Sequence, residues 1–228
     1  GVPDGAPPHG SAHIVQERPE ERLVEKSCAR FAEELAARSP VPGGGGAAAY
    51  AGALAAALCS MAGQFTLGKR RYAAVEADVR RMVEQAGEVR RRLVELVDED
   101  ARGFLPLSRA YALPKDDPAR PQAIQDATRL ACEAPLVVMG QACRAIELLE
   151  EMGEKGSALL VADVGTGAHL ARAALEAASL NVFVNAAALE DRACAEDLEA
   201  RCDGMLAAYV PRAQALARSV KDRVRGRG

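Results

Sequence analysis

At 228 residues the chain suits one domain with a tail, and its 27% charged and 49% hydrophobic residues are too mixed for a disordered protein. Abundant alanine, no Trp and only 4% aromatics favour closely packed helices over a β-sandwich. A formal net charge of −3 offers no broad basic face, so nucleic acid is not an expected partner. The six cysteines (Cys28, Cys59, Cys132, Cys143, Cys194 and Cys202) form no C-x-x-C pair and have no His at ligand spacing. They read as reduced, mostly buried thiols of a cytoplasmic protein, with no metal centre.

Residues 1–18 are rich in Pro and Gly and hold His9 and His13; they read as a disordered tail, with 19–228 as one helical domain. Helical signal begins near Glu20 and stops at Ser39-Pro40-Val41-Pro42, because each Pro disfavours αR in the residue before it. From Ser39 to Gly68 there is no Asp, Glu, Lys, Arg or His. Within that window Gly43, Gly44, Gly45 and Gly46 predict a loop. Its backbone either approaches a ligand closely or makes a tight turn before a close-packed helix. A buried helix follows over about 47–64; its Ala-rich sequence is a weak driver of membrane insertion, so no membrane contact is expected.

The window ends at Lys69-Arg70-Arg71. Cations sit poorly at a helix start, so the cluster either meets an anionic ligand or is solvated. Tyr72, Val75, Val79, Met82, Ala86, Val89, Leu93 and Leu96 then step by three and four, a heptad-like seam. The next place on the seam is Asp100, where an apolar residue belongs. Asp98 and Glu99 fall off the seam and are expected in solvent. Pro114 ends a short continuation. A third long helix is predicted from about 118 to 151 with a kink at Pro135, then a turn at Gly153 and Gly156. Further helices are predicted at roughly 157–190 and 195–224. Strand signal is close to absent, so the expected fold is an all-α multihelical bundle around the chargeless helix 47–64.

A second charge-poor window runs from Gly156 to Ala171, and its only formal charge is Asp163. Burial would raise the pKa of such a lone carboxyl toward the range useful for proton transfer near neutrality. Alternatively, Asp163 caps a helix that begins with Val164 and Gly165. Asp100 divides in the same way, between proton chemistry and a buried pairing with Arg129 or Arg144. Asn181 and Asn185, one turn apart on an apolar helix, hydrogen-bond either a ligand or neighbouring helices. Two motifs fail on context. Gly63–Arg70 nearly spells a phosphate-binding loop, but Arg70 stands where Ser or Thr belongs. Leu159–Gly167 resembles the first motif of a Rossmann-like methyltransferase, but the sequence shows no companion strands.

Four segments, in order, carry a family resemblance: SPVPGGGGAAAYAGALAAAL (39–58), LGKRRY (67–72), VDEDARGFLPLSRAYALPK (97–115) and ADVGTGAHLARAALEAASLNVFVN (162–185). With ACEAPLVVM (131–139), the chain resembles the cyclodeaminase/cyclohydrolase family. That family comprises the cyclodeaminase half of formiminotransferase-cyclodeaminase and the stand-alone methenyltetrahydrofolate cyclohydrolases. The resemblance implies tetrahydrofolate derivatives as substrates, possibly polyglutamylated, a homodimer, and no cofactor beyond the folate itself. It implies ring closure of 5-formiminotetrahydrofolate with loss of ammonia, taken first, or hydrolysis of the 5,10-methenyl ring to 10-formyltetrahydrofolate. On this reading Asp163 transfers the proton and Asp100 orients the amino group or stabilises developing positive charge. Gly43–Gly46, Asn181 and Asn185 hold substrate, and Lys69, Arg70 and Arg71 hold its glutamate tail. The chain departs from the pattern at Gly46 and Ala162, where Ser is usual, and at His169, where a small apolar residue is common. Those departures leave a third reading, a folate-binding or dimer-forming module without turnover.

Overall fold

The first chargeless window folds as helix α2, Gly44–Gln64, in a computed structural model that describes residues 21–227. The tail expected at 1–18 lies outside the described residues. Around α2 stand α1 (Cys28–Ala36), α3 (Glu76–Ala112), α4 (Arg120–Ala131), α5 (Glu133–Lys155), α6 (Val161–Ala187) and α7 (Arg192–Val224). Short 3-10 turns occupy Leu23–Glu25, Arg70–Val75 and Ala158–Leu160, and there is no strand among the described residues. The architecture is the expected all-α bundle.

α2 packs on α3, α5 and α6, which makes it the central helix that its composition suggested. Small side chains permit this. A Cβ on Gly52 would stand 3.1 Å from Leu93 Cδ1 of α3 and 3.3 Å from Ala174 Cβ of α6. On α6, a Cβ on Gly167 would stand 2.8 Å from Leu149 Cδ2 and 3.4 Å from the Ala55 carbonyl oxygen. α2 and the segment Ala158–Ala187 are both long and apolar enough to cross a membrane by length and composition, yet they pack on each other inside the bundle.

The predicted seam is the buried face of α3: Val79, Met82, Ala86, Val89, Leu93 and Leu96 are all buried. Tyr72 and Val75 fall in the preceding 3-10 turn. The helix runs on through Pro106 to Ala112, and Leu113, placed before Pro114, turns extended with ψ 147°.

Several expectations need correction. The glycine run is not a loop: Gly43 alone is the extended cap, and Gly44–Gly46 form the first turn of α2. Gly45 is required because α3 approaches the helix closely there, whereas a Cβ on Gly44 or Gly46 would meet only ordinary contacts. Residues 118–151 are two helices rather than one kinked helix, separated at Cys132. Pro135 has no N–H for the Ala131 carbonyl and its ring crowds that carbonyl, so the helix breaks there. Gly153 lies inside α5, and Gly156 is its C-cap. Asp98 is buried rather than solvated, because Arg22–Glu25 lie across that turn of α3. Its Oδ1 accepts from the Leu23 N–H at 2.7 Å. Glu99 is half-buried and pairs with Arg92 at 2.6 Å.

Leu93 fills the gap between α3 and α2 and is fully buried. Leu93→Ala is expected to lower stability by about 2–5 kcal/mol, read from urea midpoints. A loss below about 1 kcal/mol would mean that the α2–α3 contact is not tightly packed.

Candidate active site

Asp100 stands one turn beyond Leu96, so α3 carries its side chain onto the same face that packs against α2. There it meets the bare backbone of the glycine turn. A Cβ on Gly45 would lie 2.5 Å from Asp100 Cγ, and closer still to both carboxylate oxygens. Only glycine leaves room for this carboxyl. Burial pushes the Asp100 pKa up to about 6, against the opposing pull of the Gly46 backbone N–H. Neither suspected arginine pairs with it. Arg129 reaches Asp191 at 3.4 Å, and Arg144 reaches Glu147 at 2.8 Å and Gln85 at 2.7 Å.

Asp100 opens into a cleft of about 140 Å³ between the start of α2, the α4–α5 break and the C-terminal third of α6. Gly43, Gly44 and Gly45 line it together with Asn181, Asn185, Phe104 and Pro135. Asn181 sits beside Gly44, where a Cβ would lie 3.8 Å from both of its amide atoms. Its Nδ2 donates to the Ala177 carbonyl at 3.1 Å, which leaves its Oδ1 for a ligand. Asn185 Nδ2 donates to the Ala131 carbonyl at 3.4 Å. That is the carbonyl which Pro135 cannot satisfy, so Asn185 closes the gap in the broken helix. Asn181 thus bonds its own helix and Asn185 a neighbouring one, while both line the cleft.

The structure gathers Gly43–Gly45, Asp100, Asn181 and Asn185, but not the other candidates. Gly46 is buried against Val97, and its N–H rather than its Cα is turned to Asp100. α6 begins at Val161, so Asp163 lies within the first turn and does not cap it; Leu160 holds the cap position without a side-chain bond. Asp163 is half-buried and has no hydrogen-bond partner among the described residues. It precedes Asn181 by eighteen residues, about 27 Å along α6, so within one chain it does not share the cleft with Asp100. Lys69, Arg70 and Arg71 are exposed at that same far end. There the Ala158 N–H donates to Tyr72 Oη at 3.2 Å. Phe104 was not singled out from the sequence, and Pro135 was read only as a kink, not as part of a site. Phe104 was within reach of that reading, since it lies four residues after Asp100 on one helix face.

Among the described residues no three His, Cys, Asp or Glu side chains cluster as metal ligands. Burial pushes the Cys59 and Cys143 thiols up to about 12 and Cys132 up to about 11, which leaves them unreactive.

Both the sequence and the helical fold have known relatives. The family model described as formiminotransferase-cyclodeaminase matches residues 27–204. The chain is 38% identical over 198 residues to a methenyltetrahydrofolate cyclohydrolase of Methylorubrum extorquens, covering 85% of this chain and 95% of that one. It is 32% identical over 192 residues to the formimidoyltransferase-cyclodeaminase of Rattus norvegicus, and there it covers only 36% of that longer protein. The fold matches the crystal structure of formiminotetrahydrofolate cyclodeaminase from Thermotoga maritima, with a TM-score of 0.77 at 27% identity over 88% of this chain and 96% of that one. The chain belongs to the formiminotransferase-cyclodeaminase family.

A raised pKa makes Asp100 a stability cost at high pH. Below the unfolded value of 3.8 both states are protonated and nothing is lost. As pH rises to about 6 the unfolded chain ionises first, and above that the cost is complete. Asp100→Asn is therefore expected to stabilise the fold by about 1–3 kcal/mol at pH 8 and by almost nothing near pH 3.5, measured by urea unfolding. Equal midpoints for the two proteins at pH 8 would show that the carboxyl is not dry.

Proposed function

We propose that this protein is a folate one-carbon enzyme that hydrolyses 5,10-methenyltetrahydrofolate to 10-formyltetrahydrofolate. The observation that carries this reading is Asp100, a desolvated carboxyl facing a glycine wall that lets a flat ring approach. The cyclohydrolase relative, matched over nearly its whole length, supports the choice of reaction. Water attacks the methenyl carbon between N5 and N10 of the cationic ring. Ionised Asp100 takes a proton from that water and balances the positive charge beside it. The C–N5 bond then breaks, Asp100 returns its proton to N5, and the hydroxyl proton of the adduct leaves as the formyl group forms on N10. Asn181 Oδ1 orients the ring through its N–H edge.

The cyclodeaminase reading, taken first from the sequence, becomes second here and is supported by the Thermotoga maritima structure. There N10 attacks the formimino carbon, its proton passes to the imine nitrogen to give an amino group, and the C–N bond to that group breaks. Protonated Asp100 would deliver the proton that lets ammonia leave. The two reactions demand opposite states of the same carboxyl. Base-assisted hydrolysis is expected to give a kcat/KM that rises through about pH 6, whereas acid-assisted ammonia loss should fall there. Asp100→Asn is expected to lower kcat by about 10²–10⁴-fold in whichever reaction is real, while folate binding persists. Turnover near the wild-type rate would remove Asp100 from the chemistry.

The cleft is too small for a whole folate, since ligand sites of that kind enclose about 300–1,000 Å³. One side of α2 is uncovered along Gly44, Ala47, Ala51, Leu54, Leu58, Met61 and Phe65, again in steps of three and four. Leu180 and Val184 of α6 are also left 64% and 71% exposed. This supports a homodimer that packs α2 on α2 with a two-fold axis near Leu54, midway along the helix. Such an axis exchanges the two ends of the bundle. It sets Asp163 and the Lys69–Arg71 cluster of a second copy beside the first copy's Asp100 cleft, where the cluster can take the glutamate tail. Asp100→Asn and Asp163→Asn chains, each impaired alone, should then recover about a quarter of wild-type activity when unfolded, mixed in equal amounts and refolded together. No recovery would mean that both residues act within one chain. A fully active Asp163→Asn protein would remove that residue from the site.

A further inference from the structure

A second cavity, of about 540 Å³, runs as an open groove between the first half of α6 and the last turns of α7. No Asp or Glu lines it, and the cations that do come from both helices. Arg218, Lys221 and Arg225 of α7 recur at helical spacing on one face and span about 10 Å along the axis. Across from them stand His169 and Arg172 of α6.

Elsewhere on α7 the cations have partners. Arg201 pairs with Asp197 at 3.9 Å, Arg212 with Glu150 at 2.6 Å, and Arg223 turns away to donate to the Gly153 carbonyl at 2.9 Å. Arg218, Lys221 and Arg225 have no ion pair among the described residues. Arg172 is held in place: its Nε lies 2.9 Å from Glu176 Oε2, and the Gln214 amide oxygen, oriented to satisfy both groups, accepts from its two Nη atoms at 3.3 and 3.1 Å. A favourable helix dipole accounts for cations in the last turn of α7. It does not account for Arg218 one turn earlier, or for an oriented guanidinium on the opposite helix.

We propose that this groove is a polyanion site, for a flexible ligand that carries three or more carboxylate or phosphate charges within about 10 Å. It is separate from the Asp100 cleft: His169 precedes Asn181 by twelve residues, about 18 Å along α6. It does not depend on which reaction the cleft performs, or on whether it performs one.

The test is calorimetric titration of the full chain at low salt with two probes, tripolyphosphate and a γ-linked tetraglutamate. Two charge-matched variants serve as the comparison. One is Arg218→Gln/Lys221→Gln/Arg225→Gln, all exposed positions whose change should not disturb the core. The other is Arg90→Gln/Arg91→Gln/Lys115→Gln, likewise exposed and without an ion pair among the described residues. The groove variant is expected to bind at least about tenfold more weakly, and the control variant within about twofold of wild type. The stronger of the two probes on wild type tells whether the natural ligand is a carboxylate or a phosphate chain. Equal weakening in both variants would reduce the effect to overall charge, and saturation of neither probe by the wild-type chain would overturn the site.

Discussion

The contact between the Asp100 carboxyl and the bare Cα of Gly45 governs the rest of the site. A carboxyl held against a helix backbone loses water on that side, and no arginine comes in to compensate. The dryness that raises its pKa is the same closeness that excludes any side chain at position 45. The glycine run, the chargeless helix behind it and the break in the α3 seam are therefore one requirement seen in three places. α2 must lie close enough to α3 to enclose the carboxyl. It can do so only where its own side chains are hydrogen or methyl. The cost of a buried carboxyl is carried by the well-packed residues one and two turns away, Leu96 and Leu93.

Another part of the cleft is built from a defect. Pro135 ends the hydrogen-bond ladder between α4 and α5 and frees the Ala131 carbonyl. Asn185 restores one bond to that carbonyl from α6, which pins α6 to the break. The asparagine one turn before it, Asn181, is thereby placed beside Gly44 with its amide oxygen unused. A proline, a carbonyl and two asparagines thus fix the distance between the glycine wall and the Asn181 amide. Here an irregularity in one helix positions a polar group on another, and an unbroken α4–α5 helix would leave no cleft between them.

Much of this was legible in the sequence because packing writes a period. The α3 seam marked its own buried face, and Asp100 stood out as the position where the period failed. The composition of 39–68 marked a central helix for the same reason. What the sequence concealed were surfaces set by other parts of the chain. Asp98 looked solvated because nothing in the local period shows that Arg22–Glu25 will lie across it. The glycine run looked like a loop because a helix start and a turn tolerate glycine alike. Asp163 shows the deeper limit. A charge-poor window signals a surface shielded from water, but not whether its own chain does the shielding. α6 keeps Leu180 and Val184 exposed beside its buried face, and Asp163 stands half-buried near its start, away from the Asp100 cleft.

The three departures from the family pattern can now be weighed by position. At residue 46 a Cβ would stand 3.6 Å from Val97 Cγ1 and 3.9 Å from Pro42 Cβ, ordinary contact distances, so a side chain is tolerated there but not required. What Gly46 contributes to Asp100 is its backbone N–H, which glycine and serine supply equally. Ala162 and His169 line the α6–α7 groove, not the Asp100 cleft. None of the three substitutions touches the carboxyl, the glycine wall against it or the free amide oxygen of Asn181. The motive for a module without turnover rested on those substitutions, and within one chain none of them places an altered side chain against the Asp100 cleft. They bear instead on the groove, where exchanging a small apolar residue for His169 adds a titratable donor to a wall already rich in cations.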